Sequence, residues 1–171
     1  EELRNTADTA ALLALEFSGC GRATSFSYAY GNTVSVTRKS CALGYYSFGH
    51  EIGHHFGCLH NIEESTNDYI PDGHAHLIAK GTADQGYRTI LGYNAEGHRT
   101  RVNYYSNPEV IFPLTYTSTG IKGVSNNAGV IMRNIDALSA LGDEKGTCKQ
   151  GATSPSMTTT STTTSTTTST T

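Results

Sequence analysis

The segment His50-Glu51-Ile52-Gly53-His54-His55-Phe56-Gly57-Cys58-Leu59-His60 constrains this chain more than anything else in it, because it fits H-E-x-x-H-x-x-G-x-x-H at every fixed position. The chance of that match from composition alone is on the order of one in ten thousand or less. Tyr45, Phe48, Ile52 and Phe56 recur at spacings of three and four, which predicts a helix from Tyr45 to Phe56 with these four on its buried face. On that helix His50 and His54 stand one turn apart and project from one side, so both imidazoles reach a single zinc ion at about 2.0–2.1 Å. Glu51 lies beside the same side, placed to take a proton from water and deliver it to a leaving amine. Gly57 permits a left-handed backbone at the helix end, and the sharp turn there brings His60 back toward the metal. The candidate site is therefore Glu51 as general base with His50, His54 and His60 as ligands of Zn2+. Three imidazoles leave a fourth position open, the mark of a catalytic rather than a closed structural zinc site.

Charge excludes some partners. Lys and Arg number 12 against 15 Asp and Glu, a net charge of -3, so no basic excess points to nucleic acid or to an anionic membrane surface. The longest apolar run, Ala10 to Leu15, is broken by Glu16 and is far too short to span a bilayer. Among the last 20 residues, Ala152 to Thr171, 17 are Ser or Thr. Such a tract cannot bury a core; it reads either as a mucin-like O-glycosylated stalk or as plain low-complexity disorder. The expected organisation is one folded domain over residues 1–150 and a Ser/Thr tail over 151–171. Four cysteines, Cys20, Cys41, Cys58 and Cys148, predict two disulfides and a secreted, extracellular protein. Of the three connectivities, the reading favours Cys41 with Cys58 and Cys20 with Cys148. No N-x-[ST] sequon occurs, and Glu1 with no basic or apolar leader reads as the start of a mature protein or a fragment.

Elsewhere the pattern is coarser. Ala7 to Phe17 is compact and apolar and reads as a buried strand; Phe26, Tyr28 and Tyr30, then Val34 and Val36, alternate around the turn signal Gly31-Asn32 and read as two antiparallel neighbours. Leu59 to Gln85 shows no periodicity and reads as irregular loops. Val130, Ile131, Ile135, Leu138 and Leu141 form a helical stripe, with a cap region at Ser125-Asn126-Asn127 and a stop at Gly142. His55, His74, His76 and His98 read as surface or supporting residues rather than ligands.

With its eleven-residue string, the chain resembles the metzincin clan of zinc endopeptidases, in particular its reprolysin/adamalysin-like members. Gly86-Tyr87-Arg88-Thr89-Ile90-Leu91-Gly92-Tyr93 is similar to the clan's methionine-bearing turn, and Tyr104-Tyr105-Ser106-Asn107-Pro108-Glu109-Val110 to the stretch that follows it. Leu91 stands where the clan has its methionine. Leu and Met are close in volume, so the turn is expected to survive. The resemblance covers roughly Leu3 to Leu141. It implies an α/β (α+β) metzincin-type zincin fold: a twisted mixed sheet with the active-site helix, and an irregular lower part ending in a C-terminal helix. It implies a truncated front, since only Glu1 to Asn5 could belong to the first long helix, and low stability for the chain alone. It implies a secreted zinc metalloendopeptidase acting on proteins or peptides, extracellular matrix among its contacts. Substrate would add to a sheet edge near Thr24 to Tyr30. Tyr93 would then either approach the metal and oxyanion or pack in the loop core. The alternative from another class is a weak or inactive domain serving as an extracellular adhesion module; Glu51 argues against it, Leu91 and the short front for it. Calcium binding by Asp68, Asp72 or Asp84 is undetermined, because their spacing is not that of a calcium loop.

Overall fold

The structure, a computed structural model, describes residues 7–24, 33–65, 69–78, 86–94 and 100–143. The expected strand over Phe26–Tyr30, His98, Cys148, the remnant at residues 1–5 and the Ser/Thr tail lie outside them.

An upper sheet holds three strands in the order β1-β3-β2. β1 (Ala10–Ala14) runs parallel to β3 (Val34–Arg38), with Leu12 opposite Val36, and β2 (Gly21–Ala23) runs antiparallel to β3, with Gly21 opposite Thr37. The sheet is thus mixed, as expected, but β1 is not the buried strand its composition suggests. Leu12 and Leu13 are 63% and 54% exposed, because β1 is an edge strand and few side chains among the described residues pack over its apolar faces. On β3 the buried residues are Ser35 and Thr37, while Val34 and Val36 are only half-buried. Alternation located that strand, but the polar set faces inward.

A short helix, α1 (Lys39–Ala42), leads from β3 into α2 (Ser47–His55), which packs against β2 and β3. Glycine weakens a helix interior by about 1 kcal/mol relative to Ala, so Gly49 and Gly53 mean that packing rather than propensity holds α2. Gly53 shows why the glycine is there: a Cβ would lie 2.7 Å from Leu91 Cδ1 and 3.0 Å from Tyr105 Cε1. Only a bare backbone lets the 90–92 turn press against the helix. The Tyr105 hydroxyl donates to the Gly49 carbonyl at 2.7 Å across the same seam.

The buried face of α2 corrects the sequence reading. Ser47, His50, Glu51, Gly53, His54 and His55 are buried, whereas Tyr45 and Phe48 are exposed. His55 is not a surface residue: it is fully buried, its Nδ1 2.6 Å from Thr9 Oγ1, tying the helix to the segment before β1.

Below the helix the chain is irregular, as predicted, but short pairings order it. β4 (Leu59–Asn61) runs parallel to β5 (His74–Ala75); β6 (Leu77–Ile78), β7 (Tyr87–Arg88) and β8 (Thr100–Arg101) form a second sheet; β9 (Ile111–Phe112) and β10 (Thr117–Ser118) form a hairpin. The last element is α3 (Asn127–Asp143). Asn126 Oδ1 accepts from the Gly129 amide at 3.0 Å, the N-cap the sequence predicted. Cys58, Ala75, Ile90, Leu91 and Val130 form the core that joins the end of α2, the 90–92 turn and α3.

The disulfide is Cys20–Cys41, with Cα atoms 5.4 Å apart, so the favoured Cys41–Cys58 pairing is wrong. Cys41 lies on α1 beside the start of β2, where Arg38 N donates to the Cys20 carbonyl at 2.9 Å and draws the segments together. Cys58, free and fully buried, points instead toward α3, 3.5 Å from the Asn127 carbonyl oxygen.

Candidate active site

His50 and His54 arise from one face of α2. At its end Phe56 is still helical, Gly57 adopts φ 89°, and the Cys58 amide donates back to the Gly53 carbonyl at 3.1 Å. This left-handed exit turns the chain into β4, which carries His60 beneath the helix. The predicted triad is thereby assembled: Nε2 of His50 lies 3.3 Å from that of His54 and 3.2 Å from that of His60, and the last two are 3.1 Å apart.

The surroundings fix which nitrogen faces the centre. His50 Nδ1 donates to the Ile90 carbonyl and His54 Nδ1 to the Cys58 carbonyl, both at 2.9 Å. A carbonyl only accepts, so these rings carry their proton on Nδ1 and present the Nε2 lone pair inward. Burial holds all three histidines below the usual imidazole range, His60 at about 4, with the neighbouring His54 and Arg101 adding to its shift. Neutral imidazoles with converging lone pairs repel one another unless a cation lies among them. Nitrogens bound tetrahedrally to zinc at about 2.0–2.1 Å are about 3.3 Å apart, which these separations match. The donor set fits the metal.

Glu51 is buried beside this cluster, and burial raises its carboxyl to about 7, an effect the Arg101 charge partly offsets. Gly21 of β2 lies against it so closely that a Cβ there would collide with the carboxylate. Beneath the metal face, Leu91 is fully buried, and the turn carrying it supplies Ile90 O to His50. The exchange of Leu for Met therefore leaves the floor packed. Tyr93 does not pack in the loop core: it is 42% exposed, its ring centroid 3.9 Å from that of His60, and its backbone amide donates to Asn61 Oδ1 at 2.9 Å. His74 Nδ1 donates to the His60 carbonyl at 3.0 Å, and Ser106 Oγ to the His74 carbonyl at 2.7 Å, so His74 supports the third histidine from behind. Arg101 and Gly21 escaped the sequence reading. Neither belongs to a spaced motif, and each reaches the site only through strand pairing.

Residues 2–106 match the Reprolysin_5 model of metallo-peptidase family M12. The chain belongs to that family. Membership agrees with the metzincin-type fold and with zinc, the metal that M12 peptidases use, for which the three imidazoles form a suitable set. A peptidyl-Asp metalloendopeptidase of Stenotrophomonas maltophilia (strain K279a) is 37% identical over 123 residues, covering 68% of this chain and 29% of that protein. Another, from Pseudomonas fragi, is 37% identical over 80 residues, covering 47% of this chain and 54% of that protein. The chain thus spans between about three tenths and about half of these relatives' lengths. A chain in a solved chaperone–substrate complex shares the fold at a TM-score of 0.54 and 22% identity, over 80% of this chain and 21% of that one.

Proposed function

We propose that this chain is a zinc-dependent endopeptidase in which His50, His54 and His60 hold the metal and Glu51 is the general base. The observation that carries the reading is the convergence of three Nε2 lone pairs beside a buried carboxylate. Bound there, zinc would polarise a peptide carbonyl and acidify water.

The chain's own groups do the rest. The His50 and His54 rings are locked by their Nδ1 hydrogen bonds, so the metal face needs no rearrangement before reaction. Glu51 takes the proton from the attacking water on a carboxylate oxygen and hands it to the departing amine nitrogen. Burial raises the carboxyl in the metal-free chain, and a bound dication would draw it down again, leaving a carboxylate able to accept the proton at neutral pH. Tyr93 contributes a phenol at the mouth of the cluster, held there by His60 and Asn61, as a donor toward a negatively charged carbonyl oxygen.

The relatives' names support a narrower substrate, a protein or peptide cleaved at an aspartyl residue. Secretion is supported by the Cys20–Cys41 disulfide, and no described helix is long and apolar enough to cross a membrane; contact with extracellular matrix has no structural feature behind it. The division into a metalloprotease domain over residues 1–150 and a mucin-like tail over 151–171 rests on composition. The test is digestion of a diverse peptide mixture by the zinc-loaded chain, with cut sites read by mass spectrometry. Cleavage abolished by a chelator and restored by zinc supports the proposal. A folded, zinc-bound chain that cuts nothing would leave the adhesion-module alternative.

A further inference from the structure

Arg101 is an unusual residue to find beside this centre. β8 pairs with β7 so that Arg101 lies opposite Arg88, and its side chain runs toward α2. Nη1 donates to the Tyr45 carbonyl, just before the helix, at 2.9 Å, and Nη2 to the Gly92 carbonyl, just past Leu91, at 3.2 Å. The guanidinium therefore bridges the entrance of the active helix and the turn beneath the metal face. It is near enough for its charge to act on Glu51, Tyr93, His50 and His60.

Its hydrogen bonding is incomplete. A guanidinium offers five N–H donors, and the two bonds to carbonyls use two. Nε is buried and has no partner, and among the described residues Arg101 makes no salt bridge. The neighbouring Arg88 adds a second positive charge to the same spot. Glu51 is an acidic neighbour but forms no salt bridge with it, and a half-buried cation beside a second one is costly to a fold without a directly paired anion. An incoming carboxylate would remove that cost, received by the Nη N–H donors that the two carbonyls leave free, since Nε is closed off from solvent.

We propose that Arg101 is the specificity residue of this site, binding the side-chain carboxylate of a substrate aspartate next to the scissile bond. This rests on the endopeptidase reading above and gives a physical cause for an acidic preference of the kind the relatives' names describe. The carbonyl bonds to Tyr45 and Gly92 hold the guanidinium in place, so specificity requires no ordering of a long side chain when substrate binds.

The test compares peptides identical except for Asp, Asn or Glu at the cut position. Two readouts are used: kcat/KM with the zinc-loaded parent, and affinity of the fluorescently labelled peptides for zinc-loaded Glu51→Ala. The parent should favour Asp over Asn by on the order of 10- to 100-fold in both, since a site built around a charged hydrogen bond rejects the analogue that lacks it. Arg101→Gln should collapse that ratio toward one, and Arg101→Lys, which keeps the charge but not the fork, should leave it intermediate. Equal use and equal binding of the Asp and Asn peptides by the parent would overturn the proposal, as would a preference that survives Arg101→Gln. Should Arg101→Gln fail to fold, the substrate swap on the parent together with Arg101→Lys decides. If nothing is cleaved but the Asp peptide still binds more tightly, the endopeptidase reading fails and the assignment of Arg101 stands.

Discussion

Gly21→Ala is the perturbation that most sharply separates where Glu51 sits from whether the domain folds. Gly21 lies on β2 opposite Thr37, and a Cβ built there would be 2.7 Å from Glu51 Cδ and 2.8 Å from Cγ. Real carbon contacts do not come that close, so something must move. The clashing atoms belong to the far part of one flexible side chain, which moves more cheaply than backbone. Replacing glycine also removes unfolded-chain entropy worth about 0.4–1 kcal/mol, so the net change in stability should stay within about 1 kcal/mol, or about 2–4 °C in Tm for a chain this size. The carboxylate, however, must leave its position by roughly an ångström, and displacements of that size cost on the order of 10²-fold in rate. The expected result is a kcat about 100-fold lower with zinc content and Tm nearly unchanged, measured by peptide turnover, metal analysis and thermal melts. A folded, zinc-loaded Gly21→Ala with parental kcat would refute the reasoning.

Other consequences follow from the same contacts. Leu91 is fully buried against Gly53, so Leu91→Ala should cost about 2–5 kcal/mol and Leu91→Met less than about 1.5, both read by denaturant titration. Ser106 Oγ accepts from the Asn127 amide at 2.8 Å and donates to the His74 carbonyl; Ser106→Ala leaves both unpaired and should cost about 1–3 kcal/mol. Through His74 it should also lower zinc affinity by about tenfold, measured by competition with a chelator. In the metal-free protein the buried histidines titrate below their unfolded value of 6.5, so the unfolded chain binds more protons as pH falls. The histidines' contribution should be fully present above about pH 6.5 and decline toward the His60 value near 4, while Glu51, raised to about 7, opposes it over the same window. In Glu51→Gln, which removes that opposing group, melting temperatures that stay flat from about pH 6.5 to about 4 would contradict the burial of these rings.

The eleven-residue string was legible because each fixed position has its own physical reason: helical spacing for His50 and His54, a left-handed turn at Gly57, the return of His60. The helix α3 and its cap at Asn126 were legible for the same local reasons, although of its apolar stripe Val130 and Leu138 are buried and Ile135 is exposed. Other features depended on what lies across from a residue. Tyr45, Phe48, Ile52 and Phe56 have the spacing of a buried face, yet α2 buries its histidine and glutamate face, because that face meets β2, β3 and the 90–92 turn. β1 is apolar but lies at an edge, so its leucines are exposed. Cys20 and Cys41 meet because β2 and α1 are adjacent, which spacing along the chain does not encode. Arg101 reaches the site by pairing of β8 with β7, two residues each, too short to carry a periodic signal.

The most direct test of the central claim is the turnover of one cleaved peptide by the parent and by Glu51→Gln at equal zinc occupancy. Glutamine keeps the shape beside Gly21 and cannot carry the proton, and general bases contribute about 10²–10⁴-fold. The account predicts one zinc per chain in both proteins and a kcat lower by that factor in Glu51→Gln. Equal turnover, or loss of zinc on removing the carboxylate, would contradict it.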